Sequence, residues 1–326
     1  MSLPAIRAVR DNYKSSEITL LAKRSVADLF ARESAVNRVI VHGDNRWQTA
    51  RKLREHRFQL GILFPNSFDS ALLMHLGRIP QIVGYNTDMR RIFLTHPVPI
   101  PSWKGSVHER FYYLELLQEA RLIDAYHHAD VPIRLECSGE AAEDGRQAFS
   151  EQGVRLPVIG VSPGAAYGGA KCWLAERFAE SAAGLATQLG GTVALFGAPG
   201  DADDCFAVQK ALEPLAVPVV NLAGKTTLRQ FIDLAAACSV FLTNDSGSMH
   251  VASALGVPTV AVFGATNPKT TGPAGPRKVV IQQKVECSPC FKRECFIEGH
   301  PCMTRVSSAQ VLEAASNLIQ LHKAAQ

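Results

Sequence analysis

In the second half of the chain, short runs of apolar residues alternate with segments of helical periodicity. The apolar runs cover residues 158–161, 192–196, 218–221, 239–243 and 259–263. The helical segments between them cover residues 173–189, 203–212, 228–237 and 248–255. A run that is mostly apolar and does not alternate with polar residues is typical of a strand buried on both faces, and such strands pair in parallel through crossover helices. The pattern therefore predicts a Rossmann-like α/β domain.

The first half carries a less regular version of the same alternation, with apolar runs at 18–21, 38–41, 58–64 and 81–84. A chain of 326 residues also exceeds the length that one hydrophobic core usually spans. We therefore predict an α/β protein of two Rossmann-like domains, residues 1–150 and 151–326. Residues 125–157 are predicted to be a connector with a short helix at 141–151. A capping box of Ser307 and Gln310 predicts a C-terminal helix over 307–323.

The composition is that of a folded protein outside the membrane, with 47% hydrophobic and 20% charged residues. No apolar run reaches the roughly 18 residues of a transmembrane helix, and residues 1–10 lack the apolar core of a secretory signal. The formal net charge of +4 tolerates an anionic ligand but does not suggest a nucleic-acid partner. We therefore expect a cytoplasmic protein, in which reduced thiols or a metal site are the default for the eight cysteines.

The segment 243–250 is the strongest functional signal, because it joins a predicted buried strand to a helix at the carboxyl end of the sheet. Ligands of open α/β sheets bind at this end. Ser246 and Gly247 lead into the helix, whose free N–H groups favour a phosphate, and Gly247 allows close approach. His250 offers a hydrogen bond or a charge, and Asp245 can orient a hydroxyl. A capped helix without a ligand would show the same local pattern.

Three further loops follow predicted strands at the same edge. The first, residues 162–173, is rich in glycine and carries Lys171 without the ending of a Walker motif. The second, 196–201, ends in Asp201, where a carboxylate commonly binds a ribose hydroxyl. The third covers residues 222–227. Each loop alone fits an ordinary surface connection, but four such loops on one edge favour a nucleotide site.

Together these loops resemble the ADP-heptose:lipopolysaccharide heptosyltransferases of glycosyltransferase family nine, and most closely the heptosyltransferase II branch. The matching stretches are 162–165 with 170–173, 195–201, 221–226, 244–250 and 287–295. The resemblance covers nearly the whole chain and implies the GT-B fold, with two Rossmann-like domains facing a cleft. It also implies that the second domain holds most of the donor, and that a heptose passes from ADP-L-glycero-D-manno-heptose to the inner core of lipopolysaccharide.

The resemblance implies a role for individual residues as well. It assigns Lys171 to the donor phosphates, Asp201 to the ribose and Thr226 to the adenine side. It assigns four residues to the diphosphate and heptose, namely Asp245, Ser246, Gly247 and His250. Transfer in the family needs no metal. Because Lys171 and Asp245 are expected to face a cleft, replacing either should weaken donor binding with little effect on stability.

The resemblance of the first half is weaker and concerns the acceptor. The matching pieces are Gly84-Tyr85 with Arg90-Arg91, and His108-Glu109-Arg110. Additional basic residues would suit a lipid-linked acceptor rich in carboxylates and phosphates at the inner face of the cytoplasmic membrane: Arg46, Arg51, Arg54, Arg57 and Arg78. Each of these arginines, taken singly, fits an ordinary solvated surface at least as well.

The catalytic base stays unassigned. Members of the family begin with a strand and a Gly-Asp pair just ahead of the stretch that Ser2-Leu3-Pro4 matches, and that Asp is taken as the base. No residue of this chain occupies the position, so we expect the first domain to lack its N-terminal strand and to leave strand edges unpaired. A nucleotide-sugar-binding protein without transfer is the alternative function. If the chain does transfer, Asp88 and Glu109 are the first candidates for the base.

The cysteines near the C-terminus form a group of their own, because Cys287, Cys290, Cys295 and Cys302 follow a C-x2-C-x4-C-x6-C spacing with His300 beside the last. Four ligands within sixteen residues can close a tetrahedral zinc site. Free or redox-active thiols are the alternative. Since the family needs no metal for transfer, a metal here would be structural.

Overall fold

The computed structural model describes residues 1–127 and 132–324, so that residues 128–131 of the predicted connector lie outside the description. The chain divides into two units, Met1–Val131 and Pro132–Gln326. All strand pairs in both units are parallel, as the alternating pattern predicted. The described ranges contain no helix that could span a lipid bilayer.

Residues 1–127 of the first unit form five strands and five α-helices. The strands are β1 (Thr19–Lys23), β2 (Arg38–His42), β3 (Leu60–Leu63), β4 (Gln81–Tyr85) and β5 (His96–Val98). The helices are α1 (Leu3–Asn12), α2 (Arg24–Ala27), α3 (Arg46–His56), α4 (Phe68–Leu76) and α5 (Glu109–Glu119). The strands form two sheets, β1–β2 and β3–β4–β5. In the part of the chain that is described, no strand pairs with the outer edge of β1 or of β3.

One apolar cluster nevertheless connects the two sheets, because Leu21 of β1 packs against Leu53 of α3 and Leu73 of α4.

The carboxyl ends of β3 and β4 are joined by Arg90, whose side chain is fully buried. Its guanidinium donates to the carbonyls of Tyr85 and Pro65, which are neutral acceptors. Burial lowers the pKa of Arg90, and these hydrogen bonds satisfy its buried donors.

The second unit is built on one sheet of six parallel strands in the order β11–β10–β9–β6–β7–β8. The strands are β6 (Val158–Ser162), β7 (Thr192–Leu195), β8 (Val219–Asn221), β9 (Cys238–Asn244), β10 (Thr259–Phe263) and β11 (Lys278–Gln282). The helices are α6 (Ser138–Glu151), α7 (Ala175–Leu189), α8 (Ala202–Leu212), α9 (Leu228–Ala236), α10 (Gly247–Ala254), α11 (Pro268–Thr271), α12 (Pro301–Thr304) and α13 (Ser308–Ala324).

Helices cover both faces of this sheet, which explains the uninterrupted apolar runs of the sequence. On one face, Phe178 of α7 and Val311 of α13 join the strand residues Val161 and Leu242 in the main core. On the other face, Met249 of α10 packs with Ala261 and Phe263 of β10. The C-terminal helix forms almost where it was predicted, at Ser308–Ala324. Ser307 and Gln310 exchange the hydrogen bonds of the expected capping box.

Two features differ from the sequence predictions. The edge strand β11 was not predicted, although its Val279-Val-Ile281 run has strand propensity. The predicted boundary at residue 150 lies within the second unit, which begins at Pro132. The reason is α6, which is longer than predicted and packs against α9 so closely that a Cβ at Gly145 would overlap the carbonyl group of Asp233. The sequence of α6 has few apolar residues, so no hydrophobic pattern predicted its contact with α9.

This contact predicts opposite effects for two glycines of the same helix. Gly145→Ala should destabilise the protein by about 1–3 kcal/mol, because the methyl group forces α6 away from α9. Gly139→Ala, where a Cβ would have nothing within 4 Å, should be neutral or stabilise the protein by up to about 1 kcal/mol. Urea unfolding of the two variants measures both effects. Equal effects would mean that α6 does not depend on α9 for its packing.

Candidate functional site

The carboxyl ends of five adjacent strands bring five loops to one edge of the second sheet. The loops follow β6, β7, β8, β9 and β10, and four of them are those that the sequence singled out. We call residues 162–173 the glycine-rich loop. Because the register pairs Ser162 with Thr243, this loop starts beside the turn that leads into α10.

The amide side chain of Asn244 fixes both ends of the glycine-rich loop. Its Oδ1 accepts a hydrogen bond from the N–H of Trp173 at 3.0 Å, and its Nδ2 donates to the carbonyl of Pro163 at 2.5 Å. Asn244 is fully buried at the end of β9, so these bonds form away from competing water. Contacts within the protein therefore fix the shape of this loop at both ends.

Lys171 and Asp245 meet within this frame. The Lys171 ammonium donates to Oδ2 of Asp245 at 2.5 Å, and the Thr266 hydroxyl donates to the same oxygen at 2.6 Å. The side chains of Lys171 and Asp245 are only 12% and 7% exposed. Since both charged groups are buried, replacing either should cost more stability than the sequence alone led us to expect. The ammonium also lies 4.6 Å from the centre of the Tyr167 ring.

The amino end of α10 is lined by hydroxyl groups. Ser246 caps the helix by accepting from the N–H of Met249 at 3.4 Å. Its hydroxyl lies 2.8 Å from that of Ser248, which in turn lies 2.6 Å from that of Ser162. Gly247 is the first residue of the helix, and a Cβ built on it would meet open space. The N–H groups and the dipole of α10 can therefore attract an anion to this space.

The remaining predicted residues lie in the neighbouring loops. His250 is half-buried in α10. Asp201 directly precedes α8, and its Oδ2 accepts from the N–H of Ala198 at 2.8 Å. Thr226 is half-buried in the loop after β8, which is joined to the loop after β7 by a 2.9 Å hydrogen bond from Gly224 to Gly197. Asp201 approaches Gly164 closely, so the loop after β7 also adjoins the glycine-rich loop.

The segment between β11 and α12, residues 283–300, carries three of the four clustered cysteines and packs on the glycine-rich loop. The N–H of Ala170 donates to the carbonyl of Arg293 at 2.9 Å, and the Tyr167 hydroxyl donates to the carbonyl of Phe291 at 2.8 Å. Gly168 has a φ of 143° and leaves no room for a Cβ against Arg293. This segment therefore supports the loop that carries Lys171, which sequence reasoning did not foresee.

The four clustered cysteines are free thiols. Among the residues described, no three His, Cys, Asp or Glu side chains are arranged to hold a metal ion. Burial raises the pKa of Cys302 to about 11, and the nearby thiols of Cys295, Cys287 and Cys290 act in the same direction. The Cys302 thiol is therefore protonated at neutral pH.

Two polar residues of the site, Asn244 and Thr266, were not among the predicted site residues. Thr266 follows β10 at the same sheet edge as the other loops. The rule that ligands bind beyond the carboxyl ends of parallel strands therefore predicts this residue as well. Asn244 lies within the segment 243–250, but its role depends on two backbone groups far away in sequence. No local pattern indicates such a contact.

In the first unit, the proposed alternative bases are engaged in structural contacts. Asp88 accepts a hydrogen bond from the N–H of Phe68 at the start of α4. Glu109 accepts from the ammonium of Lys104 at 2.6 Å. Several of the basic candidates also have local partners: Arg46 with Asp69, Arg51 with Glu55, and Arg54 with the carbonyl of Leu76. These contacts give neither carboxylate a distinct catalytic geometry.

Comparison with known proteins shows the family to which this chain belongs. The sequence pattern of glycosyltransferase family 9 (heptosyltransferase) matches residues 46–300, which include every loop of the edge. The chain belongs to glycosyltransferase family 9. The lipooligosaccharide heptosyltransferase 2 of Haemophilus influenzae is similar to this family 9 enzyme, with 32% identity over 98% of this chain and 95% of that protein.

Solved structures agree with this assignment. The ADP-heptose lipopolysaccharide heptosyltransferase II of Escherichia coli is similar with a TM-score of 0.83 and 29% identity, covering 99% of this chain and 95% of that one. An E. coli heptosyltransferase solved with ADP shares the fold at 18% identity, with a TM-score of 0.68 over 97% and 95% of the two chains. The predicted family and the α/β fold class of the GT-B type are confirmed.

The burial of Lys171 and Asp245 predicts that they act as a unit in stability. Lys171→Ala should destabilise the protein by about 3–5 kcal/mol, because it leaves a buried carboxylate without its cation. The double variant Lys171→Met with Asp245→Asn should recover most of this loss, since neither charge remains. Chemical denaturation of the wild type, Lys171→Met, Asp245→Asn and the double variant gives the coupling energy between the two side chains.

A matched control is Lys292→Ala, which removes an exposed lysine of the supporting segment and should change stability by no more than about 0.5 kcal/mol. If Lys171→Ala costs as little as this control, the pair is accessible to water in solution and the burial argument is wrong.

Proposed function

We propose that this family 9 enzyme transfers a heptose from ADP-L-glycero-D-manno-heptose to the inner core of lipopolysaccharide. The observation that carries the proposal is the oriented Lys171–Asp245–Thr266 group beside the amino end of α10. The name of the similar E. coli enzyme, an ADP-heptose lipopolysaccharide heptosyltransferase, supports the choice of donor and acceptor. No finding favours the alternative of a binding protein without transfer.

In this proposal, the second unit stabilises the departing ADP. As the bond between the sugar and the diphosphate breaks, negative charge accumulates on the leaving phosphate. Lys171 supplies a cation held in place by Asp245, while the first N–H groups of α10 and the side chains of Ser246 and His250 supply further donors. A preorganised donor of this kind is typically worth about 3–4 kcal/mol in the transition state. These groups take the part that a metal ion plays in other transferases, so we propose transfer without a metal.

The nucleoside is proposed to lie along the loops after β7 and β8. One oxygen of Asp201 already accepts from Ala198, which fixes the carboxylate. The other oxygen has no hydrogen-bond partner among the described residues and is proposed to accept from a ribose hydroxyl. Thr226, in the adjoining loop, is proposed to lie on the adenine side. Because the two loops are hydrogen-bonded to each other, they would position ribose and base together.

The charge of the chain supports an anionic acceptor for the first unit. Residues 1–131 contain 18 of the 34 Lys and Arg residues but only 13 of the 30 Asp and Glu residues, so this unit carries the entire positive excess. We propose that it binds the carboxylates and phosphates of a lipid-linked inner-core acceptor at the inner face of the cytoplasmic membrane. The general base is left unassigned.

The donor assignment is tested by titrating the purified protein with ADP and UDP and by following ADP release from ADP-heptose. We expect tighter binding of ADP than of UDP, and release of ADP only when a heptose-deficient lipopolysaccharide acceptor is present. Equal affinity for the two nucleotides would contradict the adenine assignment. Binding of ADP-heptose without transfer to any inner-core acceptor would support the binding-only alternative.

The open space at Gly247 predicts a variant that separates ligand binding from stability. Gly247→Ala should leave the free energy of unfolding within about 1 kcal/mol of the wild type, because its methyl group meets no protein atom and alanine favours the helix. The same methyl group would occupy the space proposed for the diphosphate and should weaken ADP binding about tenfold or more. Calorimetric titration and chemical denaturation measure the two quantities.

Gly139→Ala is the control, since it adds a methyl group in open space on α6 and should leave ADP affinity unchanged. Unaltered ADP binding in Gly247→Ala would place the diphosphate elsewhere.

A further inference from the structure

The charge of the proposed donor site raises a question about what balances the diphosphate. Lys171 is the cation that the sequence assigned to it, but this lysine is already paired with Asp245. The two charges of the pair cancel, and the second unit as a whole has no positive excess, because its residues 132–326 contain 16 basic and 17 acidic side chains. A diphosphate therefore needs a further cation for its charge to be balanced.

Arg293 is the basic residue that the fold brings to the glycine-rich loop from far along the chain. Its carbonyl accepts from the N–H of Ala170, and its backbone closes against Gly168. Its guanidinium lies 5.5 Å from the centre of the Tyr167 ring, and the Lys171 ammonium lies 4.6 Å from the same centre. One aromatic ring thus holds two cations, which lie no farther apart than the sum of these distances.

Arg293 differs from Lys171 in its ion pairing. Its side chain is exposed, and it forms no ion pair with any acidic side chain in the described residues. The carboxylate of the next residue, Glu294, is directed to the glycine-rich loop and accepts weakly from the N–H of Gly169 at 3.4 Å. A carboxylate thus accepts from an N–H of this loop, which indicates that the loop backbone presents donors to an anion.

We propose that Arg293 is a second phosphate-binding cation, which contacts the diphosphate of the nucleotide donor together with Lys171. The inference rests on the proposed function, since it concerns the same nucleotide site. Arg293 supplies the net positive charge, while the Lys171–Asp245 pair supplies orientation. Glu294 weakens nucleotide binding, because its carboxylate competes with a phosphate for the N–H of Gly169. The two neighbouring side chains therefore affect nucleotide affinity in opposite directions.

The test compares four variants by calorimetric titration with ADP and with adenosine, at low and at moderate ionic strength. Arg293→Ala should weaken ADP binding about tenfold or more, as expected for the loss of a charged hydrogen bond, and should change adenosine binding less than about twofold. Arg293→Lys should retain part of the affinity. Glu294→Gln should bind ADP more tightly than the wild type. The salt dependence of ADP binding should decrease in Arg293→Ala.

Lys292→Ala is the matched control, because it removes the same charge from the adjacent exposed residue and should change ADP affinity less than about twofold. Equal effects of Arg293→Ala and Lys292→Ala, or an equal loss of adenosine binding, would overturn the inference and leave the proposed function standing. Failure of the wild type to bind ADP would overturn both. Thermal unfolding of Arg293→Ala should match the wild type, since the carbonyl that supports Ala170 is retained.

Discussion

The parallel pairing of β6 with β9 at the centre of the second sheet is the constraint from which the site follows. It sets Ser162 opposite Thr243, so that the glycine-rich loop and the start of α10 leave the sheet side by side. Asn244 then reaches both ends of that loop, and Lys171 reaches Asp245. A shift of the register by one residue would turn the buried side chains of β9 to the opposite face and separate these groups.

The electrostatics of the site combine a buried ion pair with exposed groups. A buried pair contributes little net stability, because desolvation offsets most of its attraction. The pair instead orients the lysine, since Asp245 holds Lys171 and Thr266 holds Asp245. Catalysis by transition-state stabilisation depends on donors that need no rearrangement as charge develops. In our proposal, the positive charge that balances the diphosphate comes from Arg293, which is exposed to water.

Much of the fold was predictable because the spacing of apolar residues along the chain indicates which face of a strand or helix is buried. The strand Thr259–Phe263 and the helix Ala202–Leu212 lie within one residue of where the apolar pattern indicated. The membership of α6 in the second unit was not predictable, because its contact with α9 depends on a glycine and not on an apolar stripe. The shape of segment 283–300 was equally hidden, since hydrogen bonds to distant backbone groups hold it and leave no periodic signal.

The sequence by itself determined the α/β class, the alternation of strands with helices, and the family, because these depend on local periodicity and on loop motifs that are contiguous in the chain. It also indicated that Lys171, Asp201, Asp245 and Ser246 lie at one sheet edge, since parallel strands end together. Only the tertiary structure decided that Lys171 and Asp245 form a buried pair and that Arg293 approaches Tyr167. These contacts join residues 74 to 126 positions apart, and their geometry depends on the packing of whole elements, which no local pattern encodes.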